Sequence, residues 1–113
     1  LEHIFDFNAV LREMKRVLKS EGRFIIEVPN LNYWLNRILM LLGKELIWIA
    51  VGKHIRAFNK SNLRRSLVRV GFNNVKVFGS ILPIPKTKLK IHFPYFNRIL
   101  PGLCYSLIAV GQK

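Results

Sequence analysis

Phe7, Val10, Leu11, Met14, Val17 and Leu18 recur at helical spacing, with Arg12, Glu13, Lys15, Arg16 and Lys19 between them. That pattern predicts an amphipathic helix laid on a sheet. Asp6 stands where an N-cap belongs, basic residues crowd the last turn, and Gly22 is placed as the C-terminal cap. Arg23 to Val28 follows as a strand after a short connection, the arrangement of a parallel α/β sheet. Phe24-Ile25-Ile26 does not alternate with polar residues, so the strand is expected to be covered on both faces. Pro29 stops it, and Asn30 is placed to cap a second helix. Ligands in open α/β sheets sit outside the carboxyl ends of strands, which makes Val28-Pro29-Asn30 the first candidate site.

The second helix has a wide apolar face of Leu31, Trp34, Leu35, Ile38, Leu39 and Leu42, ended by Gly43. A further apolar run, Leu46 to Val51, reaches Gly52. As one membrane span, 31–51 would carry Arg37, Lys44 and Glu45 inside it, at roughly 3 kcal/mol per charge near mid-bilayer. Two pieces joined by a turn fit better. Residues 31–52 then read as a hydrophobic cap or lid over the end of the sheet, an interfacial membrane-contacting element, or ordinary packing of an insertion.

Lys53 to Phe58 is a short extended or turn segment. Asn59 caps a third helix, with Leu63, Leu67 and Val70 facing in and Arg64, Arg65 and Arg69 facing out. Gly71 ends it, Phe72 folds back to seal the cap, and Val75 to Phe78 forms a strand. Residues 81–102 are an irregular connection. Pro83, Pro85 and Pro94 exclude a regular helix or central strand there. Lys86, Lys88 and Lys90 alternate with Thr87, Leu89 and Ile91, as in an edge ribbon protected by lysine or a ribbon contacting phosphate. Tyr95 to Leu100 gives one or two helical turns, and Cys104 to Val110 a buried strand.

The totals change this picture in three ways. The 113 residues, half of them hydrophobic, make one domain at most, and a start at Leu1 with a helix lead-in under way reads as a piece of a longer protein. No secretory signal pattern opens the chain. Cys104 is the only cysteine, which excludes an internal disulfide and fits a reducing, cytoplasmic compartment. Nineteen Lys and Arg face six Asp and Glu, a net charge of +13. That balance suits attraction to phosphate, or a solubility charge, or a basic half whose partner half is acidic. Nucleic acid is a poor fit, because the lysine ribbon lacks aromatics on the same face. His3, His54 and His92 have no metal-ligand spacing, so no metal is expected, and no paired carboxylate, Gly-x-Ser-x-Gly or phosphate-loop motif is present.

The order of segments carries more. Leu1-Glu2-His3-Ile4, the helix through Arg16-Val17-Leu18-Lys19, Gly22-Arg23-Phe24-Ile25-Ile26 and Val28-Pro29-Asn30 follow one another as in the second half of class I S-adenosylmethionine-dependent methyltransferases. Lys53 to Phe58, then Leu63-Arg64-Arg65 and Val70-Gly71-Phe72, resemble that family's next segments. The resemblance runs over nearly the whole chain and is weakest at 39–52 and 81–94. It implies the C-terminal half of a Rossmann-like sheet, incomplete, with Cys104 to Val110 antiparallel beside Arg23 to Val28. The family's glycine-rich loop and the acidic end of its second strand, which hold the cofactor, are absent from this sequence. S-adenosylmethionine would be bound mainly by a half upstream, with Glu2 and His3 at its rim.

The same resemblance implies transfer of a methyl group by in-line displacement to a small-molecule or lipid-linked acceptor, with rate gained from alignment and exclusion of water. His3 becomes the candidate acceptor contact or general base. Pro29 and Asn30 would floor the acceptor pocket, Tyr33, Trp34 and Trp48 would wall it, and His54 would fold over it. For each, packing or helix capping is the plainer alternative. A rival function is a non-enzymatic basic module on anionic membrane or nucleic acid, working through Arg64, Arg65, Lys86, Lys88 and Lys90. Peripheral membrane contact is compatible with either. Alone, the chain is expected to expose sheet surface and to aggregate or fold loosely.

Overall fold

The computed structural model describes residues 6–46, 58–83, 90–91 and 96–113. Helix α1 spans Phe7–Val17, and Asp6 accepts from the Ala9 amide at 2.8 Å, pairing a donor that a helix start leaves open. Phe7 and Leu11 are buried, and Met14 and Leu18 pack against the core. The expected cap at Gly22 needs correction. The helix ends at Val17, Leu18 caps it in an extended conformation, and Glu21, rather than the glycine, takes the positive φ of 60°.

Strand β1 (Arg23–Pro29) leads to helix α2 (Trp34–Leu41), helix α3 (Lys60–Val70) and strand β2 (Asn73–Gly79). A two-residue ribbon, β3 (Leu82–Pro83) with β4 (Lys90–Ile91), is antiparallel and stands apart from the main sheet. Lys86 and Lys88 lie outside the described residues. A short helix α4 (Phe96–Ile99) and a 3₁₀ turn (Pro101–Leu103) deliver strand β5 (Ser106–Gln112).

The main sheet has the order β1-β5-β2, with β5 antiparallel to both neighbours. Strands β1 and β2 therefore run the same way with a reversed strand between them. The parallel neighbour expected for β1 is not found among the described residues. The antiparallel placement of the last strand beside β1 is as the family resemblance implied.

Helix α3 forms as its sequence reads. Asn59 and Asn62 make a reciprocal capping box at 2.7 and 2.9 Å. Gly71 at φ 93° closes the other end, the Gly71 amide donating to Val68 O and the Phe72 amide to Leu67 O. Phe72 is thereby turned into the core, 4.5 Å centroid to centroid from Phe24. Lys15 Nζ reaches Val70 O at 3.3 Å and ties α1 to α3.

One face of the sheet holds the core. Phe24, Ile26 and Val28 of β1, Leu107 and Ala109 of β5, and Val75 and Val77 of β2 meet Leu11, Leu63 and Leu67 from the helices. Each fully buried leucine contributes roughly 1.5–3 kcal/mol. Gly79 allows β2 to close on the turn before β5, for a Cβ there would stand 2.3 Å from Cys104 Sγ. The other face departs from expectation: β1 is covered on one side only, and Ile25 is 77% exposed. Ile25 pairs across the ladder with Val110, and Glu27 with Ile108. Among the described residues no helix lies over Ile25; α4 sits at the far edge of that face, with the Arg98 guanidinium 5.9 Å from the centre of the Phe78 ring. An open groove of about 660 Å³ runs along it beside Arg23, Ile25, Lys76 and Val110.

Candidate functional site

The carboxyl end of β1 is built around Asn30. Its side chain is fully buried and does not cap α2, correcting the sequence reading. Tyr33 stands at that N-cap, with no side-chain hydrogen bond to the helix. Asn30 Nδ2 instead donates to the carbonyls of Pro101, Gly102 and Cys104 at 3.2, 3.1 and 2.7 Å. Its Oδ1 accepts from the Asn32 amide at 3.0 Å. The backbone adds Asn30 N to Tyr105 O at 3.1 Å and Leu31 N to Phe58 O at 2.7 Å. Asn30 thus joins β1 to the turn before β5, and Leu31 beside it joins the strand to the lead-in of α3. The reason is steric and electronic: a buried turn presents carbonyls that need donors, and an amide supplies two N–H groups in a compact side chain.

Aromatic rings gather beside this joint. Tyr33 meets Trp34 at 5.8 Å and Tyr105 at 5.5 Å, both nearly edge to face. Burial raises the Tyr33 hydroxyl pKa, with the neighbouring Tyr105 adding to it, and burial raises that of Tyr105. A hydrogen bond from the Trp34 side chain to the Tyr33 hydroxyl works against that rise, and both phenols are held in the neutral form. Trp34 Nε1 is buried beside the Tyr33 hydroxyl. Tyr33 is nearly inaccessible, while Pro29, Trp34 and Tyr105 are half-buried. The half-buried residues are therefore the ones that can present a surface to a bound molecule.

A polar chain lies on the neighbouring strand ends. Ser106 Oγ donates to Glu27 Oε1, and Ser80 and Ser106 share a 2.5 Å hydroxyl contact. Asn97 Nδ2 donates to Ser80 O at 2.5 Å and its Oδ1 receives a weak contact from Cys104 Sγ at 3.7 Å. Burial raises the Cys104 thiol pKa, so the sulfur is a neutral packing group. The chain links an exposed carboxylate on the open sheet face to the turn that Asn30 holds.

Of the residues expected at the site, Pro29, Asn30, Tyr33 and Trp34 are brought together. Glu2, His3, His54 and Trp48 lie outside the described residues. Sequence reading missed Tyr105 and the Glu27, Ser106, Ser80 and Asn97 chain. Pairing the last strand beside β1 was already expected, and its register, Pro29 opposite Ser106, would have pointed to them.

These residues do not form a cradle for S-adenosylmethionine. The Asn30 amide is committed to backbone carbonyls, and the connection Asn30-Leu31-Asn32-Tyr33 has no glycine to let backbone close on a nucleotide. Among the described residues no three of His, Cys, Asp and Glu are grouped so as to hold a metal ion. No described helix is long and apolar enough to cross a membrane.

No known family profile matches the sequence, and no curated protein does. Solved structures do. A SAM-dependent methyltransferase from Thermotoga maritima, a possible histamine N-methyltransferase, superposes with a TM-score of 0.66 at 17% identity, over 97% of this chain and 50% of that one. A SAM-dependent methyltransferase from Archaeoglobus fulgidus gives 0.62 at 17% identity, over 99% of this chain and 55% of that one. The chain spans about half the length of the structures it matches. At this identity the likeness is one of fold. The chain has a partial Rossmann-like α/β fold of the class I methyltransferase kind, as the order of its segments implied.

Proposed function

We propose that this chain is the acceptor-side half of a SAM-dependent methyltransferase whose cofactor-binding half is encoded upstream. The observation that carries the reading is the coverage: nearly all of this chain matches about half of two methyltransferase chains. The open sheet face, with Ile25 exposed on a strand whose sequence suits two-sided burial, is consistent with a missing layer. The acceptor is a small-molecule or lipid-linked compound with apolar or anionic character. The half-buried aromatic surface of Trp34 and Tyr105 and the net charge of +13 support that class.

In this reading Pro29, Trp34 and Tyr105 wall the acceptor pocket, and Asn30 fixes their spacing without touching the acceptor. Glu2 and His3 lie at the rim between cofactor and acceptor, His3 taking a proton where the acceptor must lose one. His54 belongs to the segment that covers the pocket. The chain by itself binds S-adenosylmethionine weakly or not at all.

Calorimetric titration of S-adenosylmethionine tests this on two proteins, the 113-residue chain and the product of the complete reading frame. The chain should give no saturable heat and the complete product a saturable one. A complete product that binds no S-adenosylmethionine overturns the proposal. With binding established, His3→Ala should lower turnover and leave cofactor affinity within a few-fold.

A further inference from the structure

Helix α2 is inside out. Its fully buried member is polar: Asn36, at 0% exposure, donates from Nδ2 to Leu31 O at 3.2 Å. Apart from Arg37, its outward residues are apolar: Leu41 is 87%, Met40 61% and Ile38 42% exposed, and Leu42 at the C-cap is 63% exposed. An ordinary surface helix shows the reverse, its apolar stripe turned to the core. Exposed Arg37 lies on the same side between Met40 and Leu41, its Nε donating to Asn32 O at 2.9 Å, and exposed Lys44 follows with Glu45 the acid next to it. Gly43, at φ 63° with open space around its Cα, turns the chain directly after the helix.

We propose that this face of α2 docks on an anionic lipid bilayer, with Ile38, Met40, Leu41 and Leu42 in the acyl boundary and Arg37 and Lys44 among the headgroups. Two other occupants fit less well. A second copy of the chain would bring a charge of +13 against +13. A layer completing the sheet would cover Ile25 and Val110, whereas α2 leaves from beyond the carboxyl end of β1. The described helices are too short and too polar to cross a bilayer, so the contact is interfacial. The inference concerns attachment and stands apart from methyl transfer.

Flotation of the complete reading-frame product with vesicles of phosphatidylcholine, with and without phosphatidylglycerol, tests it. Binding should require phosphatidylglycerol. Leu41→Gln with Leu42→Gln should weaken it by about tenfold or more, as expected for withdrawing two leucines from the acyl boundary. Arg37→Gln and Lys44→Gln should each weaken it about fivefold at low salt. Arg64→Gln with Arg65→Gln, on another helix, should matter less than the leucine pair. Equal binding to neutral vesicles, no binding at all, or a leucine pair that floats like the parent overturns the proposal. So does a leucine pair whose only effect is to dissociate a dimer.

Discussion

The two faces of the sheet are made by the same three strands and have opposite fates. Phe24, Ile26 and Val28 of β1 are 6, 6 and 1% exposed under α1 and α3, while Ile25 between them is 77% exposed. In a strand, neighbouring side chains point to opposite faces, so one residue separates core from solvent. The open side is mixed: Ile25 pairs with Val110 and Glu27 with Ile108, and Arg23, Lys76 and Gln112 line the same groove. The covered face accounts for the stability of the described chain, and the open face is where the proposed missing half would pack.

Substitutions break this comparison most sharply on the covered face. Leu107 is fully exposed to neighbours and not at all to water, at 0% accessibility in the central strand. Leu107→Ala should cost about 3 kcal/mol in urea unfolding, the sum of lost burial and the cavity left behind. Asn30→Ala comes next, at about 2 kcal/mol, because the carbonyls of Pro101, Gly102 and Cys104 lose their donor inside the protein. If Asn30 served only as a helix cap, Asn30→Ser would restore most of the loss. The geometry predicts that it will not, since a hydroxyl offers one donor to three carbonyls.

What was legible beforehand follows the range of the interactions. The α3 helix with its Asn59 box and Gly71 turn, and α1 with its Asp6 cap, depend on residues within a few positions of one another. Those read directly from the chain. The role of Asn30 depends on Pro101, 71 residues away, and a local reading could see only the nearby helix it was free to cap. Gly22 misled for a related reason: glycine marks a tight place, and here the reason is that a Cβ would stand 2.8 Å from the Lys19 carbonyl oxygen, not that the residue forms a left-handed cap. The apolar face of α2 was visible as a pattern, but periodicity says that a helix has an apolar side and not which way that side points. The order of segments carried the fold because it reports topology, which single motifs do not.

A pH scan probes the joint at the carboxyl end of β1, beside the covered face. Burial raises the thiol pKa of Cys104 and the phenol pKa values of Tyr33 and Tyr105 above their ordinary 9.0 and 10.0. Each group stays protonated in the folded chain after its unfolded counterpart has lost its proton. The unfolded state then binds fewer protons, so stability is full below those ordinary values and falls as pH climbs through the raised ones. Denaturant midpoints should therefore decline from about pH 9 upward. Cys104→Ala should make the first part of that decline shallower and leave the tyrosine part in place.

The smallest effect in the chain alone is the most informative about the open face. Ile25→Lys places a charge where the side chain is 77% exposed and touches no part of the core. In the 113-residue chain its unfolding free energy should shift by no more than about 0.5 kcal/mol, the range of ordinary surface substitutions. Its solubility should rise, because a lysine interrupts an apolar sheet face open to self-association. In the complete reading-frame product the same change should cost about 2 kcal/mol or more, since a covering layer would bury the ammonium against apolar neighbours. The two measurements pull in opposite directions only if something packs on Ile25 in the longer protein. Equal and negligible shifts in both would mean that the open face is a finished surface, and the proposal of a missing half would lose its structural support.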